Sequence, residues 1–292
     1  NLIQMANTLS TKTLRDKLRM KQLDTALRSA LVAEKVCMVD RTENKTISSP
    51  YLTAVTATVQ AVAGTYTPAA ITTTDDTLTV ADEVIASTHI FGFEEILSNF
   101  DLFFEANKEL TMSIASAIDK FVVNNLCEDG TGTYTTPAGG FTTAANVPVI
   151  LSNIVSKVSG YSEVMNGMYV IVENTDLTGI IQSQVGLGYS YADAALNNGY
   201  VTSLMGVDIY VVRSGTFVDE TTSTVSGTKT WTNLNHRVGG VKNVTTYAAP
   251  RGVVYDEKGV TGKTGKEVVA SGLIGFKAWT PRAALTIDIT LA

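Results

Sequence analysis

The chain has 292 residues, enough for one large domain or two modest ones, and 45% of them are apolar, enough for a real core. Charged residues make up only 17%, against roughly 25% in average soluble proteins. Thr, Ala, Val and Gly take their place, which points to many strands and to a surface covered by copies of itself. A plain β-rich domain with an uncharged polar surface fits the same composition. A net charge of −6 argues against bulk nucleic-acid binding by the whole chain. The charge is uneven: residues 1–35 hold seven bases and three acids, a net +4, which leaves −10 on the remainder. Such a basic arm suits docking on a neighbouring copy or an acidic partner; a solvated basic helix accounts for it equally well.

Cys37 and Cys127 lie far apart, so neither a disulfide framework nor a metal-ligand spacing is present, and a reducing compartment is expected. No 18-residue apolar run occurs, so no membrane association is expected. The opening Asn1 fits a processed terminus or a start at Met5.

In chain order, residues 10–36 place Leu14, Leu18, Leu23, Leu27 and Leu31 near helical spacing, with Ser10 or Thr11 as the cap. From Thr46 to Gly92 the text turns to Val, Thr and Ala. Alternation over residues 51–59, turn chemistry at Gly64, Pro68 and residues 72–76, and strand-like runs at 78–80 and 84–90 predict a long hairpin. The strongest helix follows. Phe100, Phe103, Phe104, Leu110, Ile114, Ile118, Phe121, Val122 and Leu126 keep a 3.6-residue period, with Asn99 or Asp101 as the cap. Over residues 101–126 it would span roughly 39 Å before the Gly130–Gly132 stop.

Beyond it the pattern is mixed. Helices are expected over 148–159 and, capped by Asn174 or Thr175, over 176–185; strands over 168–172, 200–201 and 207–212, the last two around a turn at Met205-Gly206. Residues 214–246 are Thr-, Ser- and Gly-rich and read as an exposed excursion of strand and loop. The last stretch, 285–291, alternates as a half-buried strand.

Catalytic patterns are missing. His89 and His236 stand near no nucleophile motif. Gly262-Lys263-Thr264 ends like a phosphate-binding loop, but Glu257 stands where its first Gly belongs. The adjacent acid pairs read as solvated faces. A non-enzymatic chain without cofactor or metal is expected.

The order of parts carries the signal: basic N-terminal helix, long hairpin, one very long amphipathic helix, Gly-rich turn, mixed α/β region, closing strand. Local stretches add to it, among them residues 78–90 with Glu94-Glu95, Glu128-Asp129-Gly130-Thr131-Gly132, and Gly199-Tyr200-Val201 with residues 205–212. The sequence resembles the major capsid proteins of tailed bacteriophages, the Hong Kong 97-type fold. The resemblance implies an α+β chain divided into an N-arm (1–45), an extended E-loop (46–92), a peripheral domain with a spine helix (93–147), an axial domain (148–245) and a return to the peripheral domain (246–292). It further implies self-assembly through hexamers and pentamers into an icosahedral shell around packaged double-stranded DNA, bound without sequence specificity. Scaffolding, portal and cement proteins would be partners, and the shell would assemble in the host bacterial cytoplasm. An encapsulin-like nanocompartment shell and a phage tail-tube or adhesin protein are the alternatives. Some members of the family weld the shell by an isopeptide bond from an E-loop Lys; residues 46–92 contain no Lys, so no such crosslink is expected. The same segment carries Asp75, Asp76, Asp82 and Glu83 without a base, and these acids, with Arg15, Arg19 and Lys21 of the arm, are the candidate inter-subunit contacts.

Overall fold

The computed structural model describes residues 31–52, 64, 71–90, 102–161, 166–186, 200–224, 227–250, 252–259 and 264–292. Of the helix expected over residues 10–36 only residues 31–36 are described, and of these Ala33–Val36 form one helical turn, α1, that begins after Val32; the caps expected at Ser10 or Thr11 and at Asn99 or Asp101 lie outside the described residues.

The long helix α2 (Leu102–Asp129) extends three residues past its expected end and is ~42 Å long at ~1.5 Å per residue. Leu110, Ile114, Ile118, Val122 and Leu126 form its buried stripe, and two sheets pack on it. The first is built on β14 (Lys266–Ala278). β4 (Asp82–Ile90) pairs along one edge of it; β13 (Val253–Gly259) and then β12 (Thr245–Ala248) share the other. β1 (Met38–Asp40) adds to β12 in parallel. Val268, Ala270 and Ile274 face α2, with Val84, Ala86 and Ile90 from β4 beside them.

The second sheet has six strands in the order β5 (Gly132–Thr135), β15 (Thr286–Thr290), β11 (His236–Val241), β6 (Met168–Glu173), β8 (Val207–Val212), β7 (Tyr200–Leu204). Its two-residue period splits the core cleanly. Tyr169, Ile171, Tyr210, Val212 and Val238 join the core around α2, whereas Val170, Val172, Ile209, Ile287 and Ile289 meet helix α3 (Asn146–Val158) and α4 (Leu177–Gly186). α3 presents Val147, Ile150, Leu151, Ile154 and Val158, a helical stripe. α4 comes so close to the turn at Gly140–Thr142 that a Cβ on Gly179 would lie 2.1 Å from the Phe141 carbonyl oxygen.

Three expectations are corrected here. Residues 236–246 are no exposed excursion: β11 is a central strand with five of its six residues buried. The 46–92 strands do not form one long hairpin. β2 (Thr46–Leu52) pairs with β3 (Thr73–Thr79), while β4 leaves them to join β14. The closing strand β15 lies in the six-stranded sheet, between β5 and β11. Neither Asn174 nor Thr175 caps the turn before α4; Asp176 Oδ2 accepts the Glu173 N–H at 3.1 Å.

Candidate functional site

Among the described residues the hairpin β2–β3 is held to the body at its root. Leu78 and Val80 pack with Ala248 and Trp279, with Ile47 against them. Trp279 Nε1 donates to Thr246 Oγ1 at 2.8 Å, which fixes the indole. Asp76 accepts from Thr280 N (2.9 Å) and Thr280 Oγ1 (2.8 Å) and pairs with Lys277 Nζ at 3.0 Å. Burial works to raise the Asp76 pKa, but the Thr280 donors and Lys277 outweigh it and hold the carboxyl below its usual range. Further out both strands are largely exposed, and Leu52 and Ile71 are more than 60% accessible.

The expected acidic cluster is therefore divided. Asp75 is exposed on β3 opposite Pro50, and Asp76 is balanced by Lys277 of its own chain, contrary to the reading that these acids lack a base. Asp82 and Glu83 lie on β4, opposite Ile274 and Leu273. Arg15, Arg19 and Lys21 lie outside the described residues.

Asp82 and Glu83 border a cleft of about 500 Å³ between β4, α2 and a second hairpin, β9 (Asp219–Thr224) with β10 (Gly227–Thr232). On the outer face of the β14 sheet, Ile85, Val254 and Leu273 are 63%, 51% and 44% exposed. Ile85 and Val254 flank Ser271 from opposite sides, and Leu273 is two residues further along the same strand face. Together they form an apolar face that no described segment covers.

The hairpin β9–β10 was legible only as Thr-rich text, yet α2 holds it by buried polar groups. Asn124, fully buried, donates to Lys120 O (2.7 Å) and Thr216 O (2.8 Å). Its Oδ1 accepts from Val218 N (3.3 Å) and Asn233 Nδ2 (3.2 Å). Phe121 meets Trp231 edge-on at 6.3 Å, and Lys120 pairs with Glu220. A buried ion cluster locks the base of this region. Arg237 Nε lies 2.5 Å from Asp176 Oδ2 and its NH2 3.4 Å from Glu173 Oε2; Glu173 Oε1 accepts Gly215 N at 3.0 Å. A strand bearing both an Arg and the pair Gly239-Gly240 reads as loop in sequence. The Arg is tolerated because two carboxylates meet it, and Gly240 is required because a Cβ there would lie 2.2 Å from the Leu285 carbonyl oxygen.

The chain leading out of the N-terminal segment is fixed by Asp119, whose carboxylate accepts Val32 N (3.2 Å) and Ala33 N (2.9 Å) at the start of α1. Burial pushes its pKa up to about 6, the two backbone donors and Lys35 working against that rise.

For chemistry the arrangement offers little. Burial raises both thiols, Cys37 to about 12 and Cys127 well above its usual range, which makes them poor nucleophiles. His236 pairs through Nδ1 with Asp288 at 2.8 Å, across neighbouring strands. No group of three or more His, Cys, Asp or Glu arranged to hold a metal occurs among the described residues. No described helix is long and apolar enough to cross a membrane.

Two sheets packed around one long helix make an α+β body from which the hairpin β2–β3 departs. The chain has the Hong Kong 97-type capsid fold, as comparison with solved structures shows. It is similar to the capsid of cyanophage P-SCSP1u, at 14% identity and a TM-score of 0.66 over 91% of this chain and 89% of that one. It is also similar to the structure from Mycobacterium phage Che8, at 16% identity and 0.61 over 84% of each chain. A virus-like particle from Pyrococcus furiosus aligns at 10% identity and 0.58, over 93% and 98%. No protein-family model and no curated protein sequence matches the chain.

Proposed function

We propose that this chain is a major capsid protein of a tailed phage, a structural subunit that assembles with copies of itself into an icosahedral shell. The observation that carries this is the fold match over about nine tenths of both chains with a phage capsid. Two features of the chain support it: the hairpin, anchored among its described residues at the root, and the apolar face of Ile85, Val254 and Leu273. Both suit contacts with other copies, because an exposed apolar face on a subunit this size marks an interaction surface. On this reading the N-arm is residues 1–45, the E-loop 46–92, the peripheral domain 93–147 and 246–292, and the axial domain 148–245, with Asp75, Asp82, Glu83, Arg15, Arg19 and Lys21 at contacts between copies. The protein then resides in the virion, assembled in the host cytoplasm with scaffolding and portal partners.

Electron microscopy of the purified protein tests the shell: closed particles of uniform diameter are expected, and tubes or fibres would overturn it. Nuclease-protected double-stranded DNA of uniform length in native particles is the outcome expected of a phage rather than a nanocompartment.

A further inference from the structure

We propose that in the free subunit residues 10–30, which lie outside the described residues, fold back into this chain's own cleft between β4, α2 and the β9–β10 hairpin. That cleft, of about 500 Å³, is acidic and apolar at once. Asp82, Glu83 and Glu220 stand on its walls against one base, Lys120, which pairs with Glu220. Phe121 and Trp231 line it as well, and Ile85, 63% exposed, joins it to the apolar face of the β14 sheet. The segment before Leu31 is complementary in both respects. Residues 10–30 hold six bases and two acids, a net +4. On the helix expected there, Leu14, Lys17, Leu18 and Lys21 share one face, so two ammonium groups flank two leucines. The leucines cover Ile85 and the aromatic wall while the lysines meet the acids.

The reach is short. Asp119 of α2 holds the backbone at Val32 and Ala33, and Leu31 borders a recess it shares with Ile118. Ala117, Lys120 and Phe121, at the same level of α2, border the cleft, and Ile274 of β14 lines both places. A helix is ~10–12 Å across and an extended residue spans ~3.3 Å, so about four residues carry the chain over α2. The way over passes Met112, Ser113 and Ser116, all exposed, and Met112 offers an apolar side chain there.

A segment tethered this closely meets its own cleft at an effective concentration in the millimolar range, above that of any other copy in dilute solution. Stowed there, the segment keeps its leucines from other molecules and shields Ile85 until another copy displaces it. The contact is partly ionic and lies at the surface, so salt loosens it. It belongs to the single chain and is independent of whether the chain forms a shell.

The test is carbodiimide coupling, which joins lysine amines to carboxylates already in contact, on dilute full-length protein. The product is separated on a denaturing gel and its linked peptides are mapped by mass. The expected links join Lys17 or Lys21 to Asp82, Glu83 or Glu220 in product of monomer size, and their yield falls several-fold in high salt. The same links found only in product of dimer size would place the segment on another copy and overturn the proposal, as would their absence. A second measurement uses the double variant Glu83→Gln with Glu220→Gln, both at exposed positions of the cleft. Trypsin should cut between Lys12 and Arg28 several-fold faster in this variant than in the parent, while the melting temperature stays near the parent's. Equal rates of cleavage in the two proteins would overturn the proposal as well.

Discussion

Two hairpins leave the same body, and they are attached on different principles. β9–β10 lies against helix α2, gripped by Asn124, Phe121 and Lys120. Among the described residues β2–β3 is gripped where it departs, by Leu78, Val80 and Trp279 and by the Asp76 carboxylate. Directional polar contacts inside the body fix one orientation, because every buried donor must find its acceptor. An apolar root with one ion pair fixes the point of departure and leaves both faces of the strands beyond it available to another molecule.

This contrast predicts unequal consequences. Asn124→Ala strips partners from Thr216 O and Asn233 Nδ2, both buried, and from the half-buried Val218 N, and should cost about 3 kcal/mol of global stability. Denaturant unfolding measures it; a loss below about 1 kcal/mol would mean that water replaces the amide and the grip is not directional. Leu78→Ala should cost about 2 kcal/mol, the usual range for a buried Leu lost at a site that can partly collapse. Its signature is local: hydrogen exchange should accelerate in 46–52 and 73–79 while the amides of α2 keep their protection. Equal acceleration in α2 would show that the two hairpins are not independent.

Helix α2 was readable from its period, and so were α3, α4 and the turn at Met205-Gly206, where φ angles of 56° and 79° make the tight hairpin connection that Gly favours. All of these rest on local rules. What stayed hidden was set by partners distant in sequence. β11 carries Arg237 and two glycines, and becomes a core strand only because Glu173 and Asp176 neutralise the Arg and because the backbone at Leu285 and Thr286 comes too close for a side chain. The role of Asn124 was equally invisible, since a polar residue in an amphipathic helix normally marks the solvent face. The acids of 75–83 were legible as charges but not as a divided set, because Lys277 lies some two hundred residues from Asp76.

The attachment of the N-terminal segment is a third type, and it titrates. Asp119 has its folded pKa raised from 3.8 to about 6, so protonation favours the folded state. The contribution is complete below the ordinary carboxylate pKa and is lost as pH rises through about 6. Stability should therefore fall by on the order of 2 kcal/mol between about pH 4 and pH 7. Asp119→Asn should flatten that part of the profile, as measured by melting across the range. A parent profile with the same slope as the variant would place the titration on another group.

The smallest effect is the most telling for assembly. The Asp76 pKa is lowered on folding, so its stabilisation is complete above the ordinary carboxylate range and is lost as pH falls through the folded value. Asp76→Asn keeps an acceptor for Thr280 and loses the attraction of the partly exposed Lys277, so it should cost at most about 1 kcal/mol. Asp75, exposed on the same strand, should cost nothing in the isolated subunit when changed to Asn. If the projecting hairpin lies on a basic surface of a neighbouring copy, the ranking inverts in the assembled state. Asp75→Asn should then weaken particles at low salt more than Asp76→Asn does, with the difference fading as salt screens the contact. Particles indifferent to Asp75→Asn at low salt would confine the role of these acids to the root of the hairpin, where Asp76 already has its partner.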